Sequence, residues 1–108
     1  MTLNIRVCGV GGQGVITAGL LISDASIVSG HNVFMSEIHG LAQRGGSVFV
    51  DIRIGEGKGS MIPEMGADMI IVLESMESLR NISKLARNGL CIVGSENLPL
   101  LDQYYIRL

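Results

Sequence analysis

Two glycine-bearing stretches hold the residues whose types and spacing suit chemistry. The first is Gly9-Val10-Gly11-Gly12-Gln13-Gly14, a GxGxxG spacing. It follows an apolar strand-like run and opens a helical one, which is the setting that spacing requires. Such glycines permit a tight turn, let backbone approach a phosphate, and let helix and strand pack closely. The helix N-terminus behind them offers free N–H groups and partial positive charge to an anion. The second stretch is Ser36-Glu37-Ile38-His39-Gly40-Leu41-Ala42-Gln43-Arg44-Gly45-Gly46, which sets four polar side chains among glycines. Arg44 could hold a carboxylate or phosphate by two parallel hydrogen bonds. His39 belongs to the residue type that titrates near neutrality. Gly45 and Gly46 allow close backbone approach to a ligand or another subunit.

Neither stretch is decisive alone. A nicotinamide dinucleotide site also needs an acidic residue after the second strand, and Glu37 lies 23 positions after Gly14. The same glycines equally serve strand–helix packing with no ligand. His39 can be an ordinary surface histidine, and Glu37 and Arg44 can pair at a surface for little energy. There is no GxSxG elbow and no Ser/His/Asp arrangement, so no catalytic residue is assigned. Arg6, Arg53, Arg80 and Arg87 are scattered and read as solvated faces.

The elements that must position these stretches follow from periodicity. Leu3 to Cys8 reads as a strand, Val15 to Val28 as a helix apolar on nearly every side, and Asn32 to Met35 as a short strand. Ser36 to Gly46 reads as a loop, with one helical turn near Leu41-Ala42-Gln43. Ser47 to Ile54 alternates, with Val48, Val50, Ile52 and Ile54 on one face and Ser47, Phe49, Asp51 and Arg53 on the other; the polar face suggests a place near a sheet edge. A loop tip at 55–59 and Pro63 lead to a strand from Met69 to Leu73. Ser75 can cap a helix to about Arg87, with Met76, Leu79, Ile82 and Ala86 inward and Glu77, Arg80, Asn81 and Lys84 towards water. Asn88-Gly89 would end it, and Leu90 to Val93 is the last clear strand. This order predicts an α/β, Rossmann-like fold: a mainly parallel, doubly wound sheet with helices on both faces. Both stretches would then face one crevice at the carboxyl edge of the sheet.

Bulk properties narrow the function class. The 108 residues suit one domain, and 47% are hydrophobic against 17% charged, below the roughly 25% charge of ordinary domains. A small domain cannot bury so much apolar surface by itself, so a covering partner is expected, although a sheet buried on both faces also needs apolar runs. A net charge of −2 with no basic run excludes a phosphate-tracking surface for nucleic acid. No apolar run approaches a membrane span and no signal-peptide layout is present, so the expected location is cytoplasmic. Cys8 and Cys91 form no CxxC and no metal-ligand spacing, so they read as reduced core residues and no metal site is expected.

The run Gly9 to Val15 together with Ser36 to Val48 resembles the gamma-type domain of the 2-oxoacid:ferredoxin oxidoreductases. The Glu-Ile-His-Gly-Leu-Ala-Gln-Arg-Gly-Gly form is similar to the indolepyruvate branch, where this domain is the beta subunit. Ala67-Asp68-Met69, Leu73-Glu74 and Leu79-Arg80 also fit, and the resemblance spans residues 3 to 95. It implies a holoenzyme that decarboxylates a 2-oxoacid on thiamine diphosphate and Mg, passes electrons through iron–sulfur clusters to ferredoxin, and releases an acyl-CoA. A Gly-Asp-Gly thiamine diphosphate motif and cluster-ligating cysteines are lacking here, so a larger partner subunit is expected to supply those cofactors. This chain, a single gamma-type domain over 1–108, is expected to be inactive alone. Its expected share is the crevice that faces coenzyme A, built from Gly9, Gly11, Gly12, Gln13, Gly14, Glu37, His39, Gln43, Arg44, Gly45 and Gly46. The family domain continues beyond position 108, so a truncated chain or a short homologue is expected.

Overall fold

The computed structural model describes residues 2–11, 14–39, 46–55, 59, 61–94 and the backbone of 103–107. The chain runs β1 (Thr2–Val10), α1 (Val15–Val28), β2 (Val33–His39), β3 (Ser47–Gly55), β4 (Ala67–Val72), α2 (Ser78–Asn81), β5 (Leu85–Gly94) and β6 (Gln103–Arg107). Short 3-10 turns, Ser75–Glu77 and Ile82–Lys84, flank α2. The six strands form one sheet in the order β2-β3-β1-β4-β5-β6. β1, β4 and β5 pair in parallel, while β3 is antiparallel to both β1 and β2, and β6 is antiparallel to β5. Four strands therefore run one way and β3 and β6 the other, the mainly parallel α/β sheet that periodicity predicts.

Periodicity does not predict the insertion of β3. It lies between β2 and β1, so the expected edge strand is an interior one. Its polar face is half-buried, and Asp51 fully so, because those side chains find partners across the sheet: Asp51 meets Arg6, and Arg53 donates to Asn4 at 3.2 Å.

Each sheet face carries its own core. Ile5 and Val7 of β1 and Val48, Val50, Ile52 and Ile54 of β3 pack with Val15 beneath α1. Cys8, Ile70, Val72, Cys91 and Val93 form the other core with Ile62, Ala67 and Leu85. α1 occupies the span that its sequence predicts. Gly14 caps it at φ 86°, a left-handed conformation that glycine adopts without strain. Gly19 sets the spacing of α1 to the sheet: a β-carbon there would sit 2.7 Å from Val50 Cγ1. Close packing of α1 against β3 is thus set by a glycine beyond the GxGxxG run.

The second face departs furthest from expectation. The helix predicted from Ser75 to Arg87 is instead three short pieces ending at Lys84, and β5 begins at Leu85. Glu74, not Ser75, supplies the cap, accepting from the Met76 amide at 3.2 Å. The segment is also turned over. Glu77 and Asn81 are buried at 6% and 5% exposure, whereas Met76 and Leu79 are 71% and 79% exposed.

The cause is Arg6, which is 2% exposed rather than solvated. Its Nε and Nη2 donate to the two Asp51 carboxylate oxygens at 2.7 and 2.9 Å, and its Nη1 donates to Asn81 Oδ1 at 3.0 Å. Its guanidinium lies 3.8 Å from the Phe49 ring centre. Asp51 also accepts from the Ile62 amide at 2.9 Å. A buried charge must be paired and its donors satisfied, so the covering segment presents Asn81 to Arg6 instead of its apolar stripe.

Candidate functional site

The carboxyl ends of β1, β2, β4 and β5 share one edge of the sheet with the first residue of β3, since Ser47 pairs with Val10. The glycine turn leaves β1 there, and the second stretch returns to β3 there. Among the described residues a backbone bond joins them: the Gly11 amide donates to the Gly46 carbonyl at 3.2 Å. The two stretches singled out in the sequence therefore meet at one edge.

The individual residues are placed as follows. Gly9 is buried within β1, opposite Val48, and is a strand residue rather than part of the turn. Gly11 is exposed, and a β-carbon on it would meet nothing within 4 Å. Gly14 is the left-handed cap of α1. Glu37 and His39 belong to β2, not to a loop, because β2 runs on to His39. Both are exposed, and His39 Nε2 lies 3.2 Å from Glu37 Oε1. Glu37 thus has a neighbour two residues along its own strand. Gly12, Gln13, Gln43, Arg44 and Gly45, and the helical turn near Leu41, lie outside the described residues.

β3 bears on the dinucleotide reading. In that arrangement the acidic residue ends the strand next to β1. Here β2 is two strands from β1, about 10 Å at the usual spacing. Glu37 is displaced by one strand spacing, about 5 Å, from where a ribose hydroxyl would need it.

Arg80 is a further charge at this edge. Its Nη1 donates to Ser47 Oγ at 3.2 Å, and its Nε lies 3.7 Å from Glu77 Oε2. The sequence places both Arg80 and Glu77 in solvent; Arg80 is indeed exposed, whereas Glu77 is buried. The available signal was Arg6 and Asp51: each interrupts an apolar strand on a face that the opposite strands also bury, which marks a buried pair needing partners from the covering segment.

Among the described residues no three or more His, Cys, Asp or Glu side chains are grouped to hold a metal ion. Burial pushes the Cys8 thiol up to about 12 and raises that of Cys91. Both are buried core thiols, and two cysteines fall short of the four ligands of an iron–sulfur cluster. Among the described residues no helix is long and apolar enough to cross a membrane.

Residues 4–107 match the family model described as pyruvate ferredoxin/flavodoxin oxidoreductase. The chain belongs to this family. Among its relatives, the indolepyruvate oxidoreductase subunit IorB of Methanothermobacter thermautotrophicus is 46% identical over 99 residues, covering 92% of this chain and 50% of the relative. The corresponding subunit of Archaeoglobus fulgidus is 48% identical over 98 residues, with 91% and 49% covered. The chain spans about half the length of these curated relatives. The fold matches part of the 2-oxoglutarate:ferredoxin oxidoreductase of Magnetococcus marinus, solved with 2-oxoglutarate, coenzyme A and succinyl-CoA bound. That match has a TM-score of 0.73 at 22% identity and covers 89% of this chain and 17% of the other. At the described edge, the glycine turn and the Gly46 root of the second stretch are held together by backbone.

Proposed function

We propose that this chain forms the N-terminal part of the small subunit of an indolepyruvate-type 2-oxoacid:ferredoxin oxidoreductase. The complex would oxidatively decarboxylate an arylpyruvate to an acyl-CoA and pass the electrons to ferredoxin in the cytoplasm. The observation that carries this is the Gly11–Gly46 bond, which brings both family-bearing stretches to one sheet edge. The identity to indolepyruvate subunits supports the branch.

The role proposed for this chain is to border a crevice, not to carry the redox chemistry. Thiamine diphosphate, Mg and iron–sulfur clusters are assigned to a larger partner subunit; the two buried cysteines of this chain are too few to ligate a cluster, which supports that division. Gly11, Gly12, Gln13, Gly14, His39, Gln43, Arg44, Gly45 and Gly46 are proposed to face the acyl acceptor. Gly9 would support the turn from within β1, and Glu37 would orient His39.

The test is anaerobic viologen reduction by arylpyruvate plus coenzyme A, with the large subunit alone and with this subunit added. Activity that needs both supports the assignment, and equal activity of the large subunit alone overturns it. Calorimetry with NAD and NADP addresses the alternative of a freestanding dinucleotide module; the position of β3 predicts no binding heat at millimolar ligand.

A further inference from the structure

The buried polar network under the second sheet face ends at the candidate edge. From Arg6 it passes to Asn81, whose Nδ2 donates to the Glu77 carbonyl at 2.8 Å. The Glu77 side chain is 8% exposed and faces Arg80 Nε at 3.7 Å. Arg80 then reaches Ser47 Oγ at 3.2 Å. Ser47 directly follows Gly46, whose carbonyl takes the Gly11 amide.

Most surface arginines lose much rotamer freedom when they make one contact, so such contacts hold little. Arg80 differs because its counter-charge is buried. Taking the guanidinium away would leave the Glu77 carboxylate in the interior without that cation, which is costly. Glu77 therefore confines Arg80, and Asn81 confines the backbone that bears Glu77. The hydroxyl of Ser47 meets a group that is already held.

We propose that Arg80 is a positioning residue for the crevice: through Ser47 it fixes the Gly46 carbonyl against the Gly11 amide and so sets the spacing between the glycine turn and the second stretch. This rests on the crevice reading above. Arg80 acts through Ser47, and Arg6, Asn81 and Glu77 serve to hold Arg80 in place.

Amide hydrogen exchange of the full chain by NMR tests it, with Arg80→Gln, Arg80→Lys, Ser47→Ala and, as control, the exposed Arg87→Gln. Exchange at the Gly11 amide should rise about 1.5- to five-fold in Arg80→Gln and in Ser47→Ala, the range expected of one exposed charged contact. Arg80→Lys should restore part of the protection, and Arg87→Gln should leave it unchanged. Ser47→Ala leaves the Glu77 pair intact, so it isolates positioning from any loss of folding in Arg80→Gln. Unchanged Gly11 exchange in Ser47→Ala overturns the proposal. In the assembled complex, Arg80→Gln should raise KM for coenzyme A by a similar factor at unchanged kcat, and an unchanged KM in an active complex also overturns it. A parent complex with no arylpyruvate activity, but with the exchange pattern above, would sink the proposed function and leave the role of Arg80 standing.

Discussion

Replacing Asp51 by Asn keeps the shape of the side chain and removes its charge, which makes it the sharpest probe of the interior. Asp51 is fully buried and takes three donations, two from Arg6 and one from the Ile62 amide. Arg6 would keep its charge with the paired carboxylate gone. Breaking a buried ion pair from one side costs about 3–5 kcal/mol, because the other charge is left uncompensated. Arg6→Met strands Asp51 in the same way and should cost a similar amount. The double variant leaves no stranded charge, so its loss should stay about 3 kcal/mol against a summed loss of about 6–10 kcal/mol, a coupling of about 3 kcal/mol or more.

The assay is urea unfolding of the full chain, read as a double-mutant cycle, with thermal unfolding alongside. A single variant should lower Tm by about 15 °C or more, given some 4–8 °C per kcal/mol for a small domain. Unchanged slopes with denaturant would show that the unfolded reference has not moved. If Asp51→Asn stays within about 1 kcal/mol of the parent, or if the two single losses simply add, the pair is not the charge-coupled centre described here.

Three further outcomes are expected. Gly14→Ala forces a β-carbon into the left-handed cap at φ 86° and should cost about 1–2 kcal/mol in urea unfolding. Gly19→Ala should also destabilise by about 1–3 kcal/mol, although alanine favours helices, because the new methyl meets Val50 at 2.7 Å; a net gain in Tm would refute the close approach. Native Cys8, pushed up to about 12 by burial, should resist alkylation at pH 8, and because its folded value exceeds the ordinary 9.0, its contribution to stability should be complete below pH 9 and be lost as pH rises towards 12. Labelling as fast as in the unfolded chain would contradict that burial.

The fold class was legible because most of it is written in local period. α1 and β3 match their predicted spans nearly residue for residue, since a continuous apolar helix and a strict alternation each have one reading. The insertion of β3 beside β1 was not legible, because pairing partners are a long-range choice that period does not encode. β2 was read too short for a related reason: Glu37 and His39 look like loop residues, yet a strand whose exposed side chains pair with each other tolerates them. The candidate edge was half legible. Its glycine spacing and its Glu-to-Gly-Gly run stand out in sequence, whereas Ser47, Glu77 and Arg80 join it only through contacts between distant segments.

The overturned segment from Glu74 to Lys84 shows which energy decided the matter. A helix with Met76, Leu79 and Ile82 turned inward would bury two more large apolar side chains than the observed arrangement. At about 1.5–3 kcal/mol each, that is roughly 3–6 kcal/mol of hydrophobic gain forgone. Turning that way would carry Asn81 off Arg6 and Glu77 out to water, leaving a buried guanidinium with an unmet donor. An unsatisfied buried donor on a charged group costs more than the 1–3 kcal/mol of a neutral one, and the bond from Arg6 to Asn81 would be lost with it. The polar terms therefore match the apolar one in size, and they also dictate geometry, since a guanidinium fork accepts its partners in few orientations. Oil on oil would hold the segment in many. The stripe read from sequence was a sound reading of hydrophobicity, and it lost to one buried arginine whose need for oxygen is directional.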